Sequence, residues 1–348
     1  MSIKKIAEKV GVSPATVSRV LNNPKYKCKS KELRDKIWDT AIQMNYSPNS
    51  AARNLKLGND TSDERTFNIN VLMTRIGSEQ NDPFFSELLR VVESEIYSRG
   101  NALTRIWYMP VFSDEKALRR VNLQRLVNET FEEAEGKADG LVIIGKCMPQ
   151  ALKIWRQKYK CIVSVNRNST NYEVDEVLCD GKKVASLAVK HLVELGHKNI
   201  GYVGACHNES RYKGFQDVLW ENGLDLVPDY IVESGQTEDD GYNAMKEFLS
   251  MDNPPTGIYC ANDIIAVGMF KCMKKYKKLK YFPSIIASDD IPQAQNTNPL
   301  LTTVKLPCDE MGSFAIKLLM DRLNKGHESV SRIELEGKLI IRDSCKKL

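Results

Sequence analysis

The chain has 348 residues, 42% of them hydrophobic, and carries 50 Lys and Arg against 45 Asp and Glu, a formal net charge of +5. That length implies two or three domains rather than one. No apolar run approaches the length of a bilayer span, and the opening stretch Met1 to Glu8 lacks the continuous apolar segment of a signal peptide, so a cytoplasmic protein is expected.

The mean charge conceals an asymmetry. Residues 1–58 hold twelve Lys and Arg and four Asp and Glu, a net +8, whereas the other 290 residues carry a net −3. A strongly basic sixth of the chain beside an acidic body points to a polyanion-binding module joined to an ordinary globular one. The nine cysteines include no Cys-x-x-Cys pair and read as reduced and mostly buried side chains. The four histidines lack metal-ligand spacing, and neither metal nor cofactor is expected.

In residues 3–10, Ile3, Ile6, Ala7 and Val10 follow i, i+3, i+4, i+7, one face of a two-turn helix that Gly11 ends. Ser13 as N-cap and Pro14 at the first helical position then open a second helix with Val17, Val20 and Leu21 inward. A third helix follows Ser30, with Leu33, Ile37, Ala41 and Met44 closing the small core. Two short helices across a tight glycine turn form a helix-turn-helix, and the second would read DNA. Its outward residues are Pro14, Ala15, Thr16, Ser18 and Arg19, with Asn22 just beyond. Arg19 can take a guanine bidentately, Ala15 offers a methyl contact, and Ser13, Thr16 and Ser18 suit phosphate oxygens.

Pro48 followed by good helix formers predicts a helix of about two turns, too short and polar to stand without a partner. Leu55 projects from it as an apolar minor-groove wedge would. Residues 58–67 are polar enough for a flexible joint.

From Phe67 onward, β-branched runs at 69–73, 103–107, 140–144, 161–165, 177–179, 200–203, 256–260 and 284–288 alternate with helical patterns. That alternation predicts parallel sheets of βαβ units, and about 280 residues predict two such α/β lobes with a cleft between them. Ligands of open α/β sheets bind at the carboxyl ends of strands, which singles out Asn166, Asn262, Asp263, Asp289 and Asp290, with Arg211 opening a helical segment. Amides, a carboxylate and a guanidinium suit vicinal hydroxyls, whereas a nucleobase would ask for a more apolar slot. Asn and Asp after strands also commonly cap the following helix.

The string from Ile3 to Asn22, containing Gly11-Val-Ser-Pro-Ala-Thr-Val-Ser-Arg-Val-Leu-Asn22, and the string from Asn45 to Leu55 resemble the DNA-binding head and hinge helix of the lac repressor/galactose repressor (LacI/GalR) family. The resemblance assigns Pro14 and Ala15 to variable base-reading positions, Arg19 to a base contact and Leu55 to a leucine pair that opens the operator centre. The residues expected to meet DNA are thus Ser13, Pro14, Ala15, Thr16, Ser18, Arg19, Asn22, Asn49, Arg53 and Leu55. It continues through the body at 81–85, 138–142, 192–200, 211–215, 260–263 and 288–290. It implies that Arg211, Asn262 and Asp289 contact the effector and that Phe84 and Asn166 line the same cleft. Ala287-Ser288 departs from the Gly-aromatic pair usual before that Asp, which alters one wall of the pocket.

The implied architecture is an α/β protein with a three-helix helix-turn-helix head (1–46), hinge helix (47–58), linker (59–68) and a two-lobed, periplasmic-binding-protein-like core of parallel α/β sheets. One lobe is expected to take 69–166 and 291–327, the other 167–290 and 328–348, with crossings near 166–168, 289–292 and 326–330. The function implied is a repressor of carbohydrate-utilisation genes, a homodimer on double-stranded operator DNA whose affinity a small sugar modulates. A purine-responsive or phosphoprotein-corepressed regulator is the alternative within the class. A transport-type sugar-binding protein, which would carry a signal peptide and no basic head, is the alternative outside it. No enzyme is expected, since Gly-x-Ser-x-Gly, His-Glu-x-x-His, Walker and Gly-x-Gly-x-x-Gly motifs are all missing from the sequence.

Overall fold

Apolar side chains recurring every three to four residues draw the first three helices together: α1 (Ile3–Val10), α2 (Pro14–Asn22) and α3 (Lys31–Gln43) bury Ile6, Ala7, Val10, Val17, Val20, Leu21, Ile37, Trp38 and Ala41 against one another. Trp38, unforeseen in the sequence, is among the largest of these side chains. Leu33 is only half-buried. The computed structural model describes residues 3–22, 26, 28, 30–43, 66–75, 82–134, 138–276 and 281–348. The hinge helix expected at 47–58, the inward Met44, and the DNA contacts expected from Asn49, Arg53 and Leu55 fall outside these residues.

The body follows as β1 (Asn68–Met73), α4 (Pro83–Ser98), β2 (Ala102–Tyr108), α5 (Glu115–Leu118), α6 (Leu123–Glu133), β3 (Gly140–Ile144), α7 (Pro149–Lys158), β4 (Cys161–Asn166) and β5 (Asp175–Leu178). It continues as α8 (Gly181–Glu194), β6 (Ile200–Gly204), α9 (Ser210–Glu221), β7 (Ile231–Glu233), α10 (Glu238–Leu249), β8 (Gly257–Cys260), α11 (Asp263–Lys274), β9 (Ser284–Asp289), β10 (Thr302–Lys305), α12 (Cys308–Leu323), β11 (Arg332–Glu334) and β12 (Lys338–Ile340). One six-stranded sheet has the order β11-β5-β4-β3-β1-β2 and is parallel throughout. The other runs β12-β10-β9-β8-β6-β7, parallel except at the β12 edge. Buried on both faces by helices, the strands read as apolar runs, which is why the sequence exposes them.

The crossings between lobes lie elsewhere than expected. Asn166 is followed not by departure but by β5, whose Asp175–Leu178 pairs with Val163–Asn166 and keeps the chain in the first sheet. The chain changes lobe between Leu178 and Gly181, between Lys305 and Cys308, and between Glu334 and Lys338. Pairing of β10 with β9 delays the second crossing, and α12 then packs on α4, β4 and β5 of the first lobe. The third is delayed because β11 pairs with β5 before β12 reaches β10.

His197 ties the corner after α8 to the sheet behind it: its Nδ1 lies 3.0 Å from Thr256 Oγ1 and its Nε2 2.9 Å from Ser284 Oγ. All nine cysteines are free thiols; Cys179, Cys260 and Cys272 are buried and the other six half-buried, fewer in the core than expected. Those six sit at strand edges, in loops or near element ends rather than at sheet centres. Among the described residues no helix is long and apolar enough to cross a membrane, and no group of His, Cys, Asp and Glu could hold a metal ion.

Candidate DNA-reading helix and effector cleft

Gly11, at φ +79°, reverses the chain after α1, and the amides of Gly11 and Val12 both donate to Ala7 O, at 2.9 and 3.0 Å. That conformation is one glycine adopts without steric penalty. Ser13 then caps α2: its Oγ accepts from Thr16 N at 3.1 Å and lies 2.9 Å from Thr16 Oγ1. With Val17, Val20 and Leu21 held in the core, Ser13, Pro14, Ala15 and Arg19 are exposed and Thr16 and Ser18 half-buried. Thus α2 presents its first turn and Arg19 on one open face, the part of a recognition helix that reaches base edges. Asn22 closes the helix.

In the body, a cavity of about 420 Å³ opens between the two lobes. Arg75, Phe85, Lys146, Asn166, Arg167 and Asn168 line it from the first lobe, and His207, Asn208, Glu209, Arg211 and Glu233 from the second. Asn166 and Arg211 therefore stand where the sequence put them, at the cleft. The Asn166 Nδ2 donates to Asn168 O at 2.9 Å, and its Oδ1 accepts from Arg167 N at 2.7 Å. The Arg211 guanidinium donates to Glu209 Oε1 at 2.9 Å, Gln236 Oε1 at 3.1 Å and Ala261 O. Burial pulls the Glu209 carboxyl up, but Arg211, with Arg167 and Arg75 beyond it, overcomes this and holds it at about 2.

Phe84, Asn262 and Asp289 lie one layer behind the lining. Phe84 packs edge-on against Phe85, ring centres 5.2 Å apart, and it is Phe85 that lines the cavity. Asn262 is occupied as the N-cap of α11, accepting from Ile265 N at 3.1 Å while its Nδ2 donates to Gln236 O at 3.2 Å. The Asp289 carboxylate accepts from Arg167 Nη1 at 2.7 Å. Asp263 and Asp290 are spent inside the second lobe: Asp263 accepts from Ile291 N and Thr303 Oγ1, and Asp290 from Arg342 Nη2 at 2.6 Å.

Sequence reasoning missed Arg75, Lys146 and Arg167. The Arg167 guanidinium lies over the Phe84 and Phe85 rings, 4.6 and 5.2 Å from their centres, with Asp289 at its end. The strand-end rule that selected Asn166 would have found all three, since Arg75 and Lys146 follow β1 and β3 by two residues and Arg167 follows β4 directly. The buried Gln236, beside Arg211 at φ +67°, leaves its Nε2 without a hydrogen-bond partner among the described residues.

Residues 2–49 match the family of bacterial regulatory proteins of the lacI type, and residues 189–345 match a periplasmic binding protein-like domain. The chain is 29% identical over 359 residues to an HTH-type transcriptional repressor PurR of Haemophilus influenzae, covering 100% of this chain and 99% of that one. It is also 29% identical to the PurR repressor of Pasteurella multocida, over 99% and 98% of the two chains. Among solved structures it resembles a transcriptional regulator CelR in complex with cellobiose, with a TM-score of 0.67 at 19% identity over 99% of this chain and 100% of that one.

Proposed function

The chain belongs to the LacI/GalR family of DNA-binding repressors, and we propose that it represses carbohydrate-utilisation genes in the cytoplasm under the control of a small sugar held in the cleft. The observation that carries the reading is the pairing, in one chain, of an exposed α2 face ending in Arg19 with a 420 Å³ cavity lined by polar side chains of both lobes. Asn166 and Arg211 face that cavity with amide and guanidinium donors, groups that fix hydroxyls in orientation. The excess positive charge lies in residues 1–58, the body carrying a net −3.

A homodimer would set two α2 helices on the half-sites of a near-palindromic operator. Closure of the lobes on a ligand alters how the two copies meet, and so how the two heads are set on DNA. The ligand is thereby coupled to operator affinity by about 1–3 kcal/mol, the usual range. Asp289 and Phe84 act in this scheme through Arg167, Asn262 through the Gln236 backbone, and Asn166 and Arg211 directly.

A purine-responsive repressor is the second reading, favoured by the relatives called PurR. Against it, Phe85 is the one Phe, Tyr or Trp side chain lining the cavity among the described residues, so a base would find only the His207 imidazole as a second ring.

The test is selection of bound sequences from a randomised duplex library, followed by anisotropy titrations with mono- and disaccharides and with purines. The expected result is a near-palindromic operator whose affinity a sugar changes by roughly 5–150-fold. Enrichment of no sequence would overturn the repressor reading; response to a purine alone would overturn the sugar.

A further inference from the structure

Strands β1 and β3 are neighbours, with Met73 beside Ile144, and Thr74 N continues the ladder to Ile144 O at 3.0 Å. Arg75 and Lys146, two residues further along each strand, therefore emerge side by side at the carboxyl end of the sheet, where ligands of open α/β sheets bind. Gly145 permits this approach: at φ +101°, a Cβ there would lie 2.8 Å from Thr74 Oγ1 and 3.2 Å from Arg75 Cβ.

Six Lys and Arg side chains line the cavity against four Asp and Glu. Three of the four carboxylates are already engaged. Glu209 holds Arg211 at 2.9 Å, Glu115 holds Arg119 at 2.5 Å and Asp114 caps α5 through the amides of Lys116 and Ala117, while the exposed Glu233 lies 3.8 Å from His207 Nε2. Arg167 is taken by Asp289 behind the wall. Arg75 makes no hydrogen bond or ion pair among the described residues, and the Lys146 ammonium donates to a neutral acceptor, His207 O, at 3.2 Å. Burial lowers the pKa of both groups and repulsion from Arg211 adds to it, while Glu209, already bonded to Arg211, opposes the fall in each. Half-buried cations whose nearest carboxylate is shared with another guanidinium are costly, and a bound anion offsets that cost.

We propose that the effector is a phosphate ester whose phosphoryl group is held between Arg75 and Lys146; this rests on the reading of the cleft as the effector site. The planar guanidinium supplies a two-pronged donor and the ammonium a compact charge, complementary to phosphate oxygens. Because Lys146 also reaches across to His207 O of the second lobe, an anion drawn to Lys146 bears on the contact between lobes.

Calorimetry on the full chain with glucose against glucose 6-phosphate, trehalose against trehalose 6-phosphate, and guanosine against GMP tests it. At least one ester is expected to bind tenfold or more tighter than its parent, and Arg75→Gln and Lys146→Gln are each expected to remove that preference, the ligand-free melting of each variant checking that it folds. Preference for a sugar ester supports both the inference and the sugar reading; preference for GMP alone supports the anion site and overturns the sugar. Neutral sugars binding as tightly as their esters overturn the inference and leave the sugar reading standing. An ester preference that survives both substitutions also overturns it, and binding by no compound overturns both.

Discussion

Arg167, which follows β4 of the first lobe, and Asp289, which ends β9 of the second, meet at 2.7 Å with their side chains only 5% and 2% exposed, burial pushing the Asp289 carboxyl up to about 8 against the opposing pull of the Arg167 guanidinium. The pair spans the lobes at the base of the cleft, with the Phe84 and Phe85 rings against the guanidinium. Further contacts bridge the lobes nearby: Asn168 Oδ1 accepts from the amide and hydroxyl of Ser210, at 2.9 and 2.8 Å, Gly181 N donates to Arg167 O at 2.9 Å, and Lys146 reaches His207 O. Lobe movement therefore bears on Asn168 and Lys146 as well as on Arg167.

Removing the Asp289 carboxylate leaves the Arg167 charge buried without its partner. Breaking a buried pair from one side costs about 3–5 kcal/mol, much of it the penalty on the charge left behind. Asp289→Ala is expected to lose that much stability in urea unfolding, and Asp289→Ala with Arg167→Met to recover much of it. Losses below about 1 kcal/mol in the single variant would show that the pair contributes little to holding the lobes.

Much of this was legible in the sequence, for reasons specific to each element. The bounds of α1 and the cap at Ser13 followed from apolar spacing and a Ser-Pro start, and the central strands from β-branched runs buried on both faces. Strands β7, β11 and β12 have three residues each, too few to show a period, and β10 reads as a polar Thr-Thr-Val-Lys. Missing β5's return to the first sheet displaced the first lobe crossing, and missing the pairings of β10 with β9 and of β11 with β5 displaced the other two. In the cleft, the strand-end rule singles out mainly amides and carboxylates after strands of the second lobe. Asn262 and Asp289 have those signals because they cap a helix and hold Arg167, while Arg75, Lys146 and Arg167, the cavity-lining cations passed over, follow strands of the first lobe.

Glu209 sets an acid limit on stability. Its carboxyl, fully enclosed with Arg211, lies at about 2 in the folded protein against an ordinary 4.5. A carboxylate depressed on folding contributes stability that is fully present above its unfolded pKa and is lost as pH falls through the folded one. The loss therefore falls between about pH 4.5 and pH 2 and amounts to about 3 kcal/mol. Urea midpoints across that range should fall less steeply in Glu209→Gln than in the parent chain; parallel curves would refute the coupling to Arg211.

Helices α10 and α11 touch backbone to backbone at two glycines. A Cβ on Gly268 would stand 1.9 Å from Glu238 O, and one on Gly241 1.9 Å from Ile265 O. Alanine gains about 1 kcal/mol in helix propensity, but overpacking costs about 1–3 kcal/mol and the obstacle here is rigid backbone, so the contact decides the sign. Gly268→Ala should lower stability by about 2 kcal/mol or more, read by thermal or urea melting, with operator binding retained by the folded fraction. A stabilised variant would mean that the two helices can separate freely.

The head offers the most direct separation of DNA contact from folding. Arg19 is exposed on α2, whereas Val17 and Val20 on the same helix are buried in the head core. Truncating an exposed side chain away from such a core ordinarily changes stability by less than about 0.5 kcal/mol. Removing a bidentate base contact costs about 1–3 kcal/mol of binding and relaxes specificity at one base pair. Arg19→Ala should therefore melt with the parent chain while its operator affinity falls by about 5–150-fold and a single position of the site loses its preference. A contact to phosphate instead would weaken all sequences alike and reduce the salt dependence by about one counterion, so anisotropy titrations at several salt concentrations decide which contact Arg19 makes. Unchanged affinity for the selected operator would remove α2 as the reading helix.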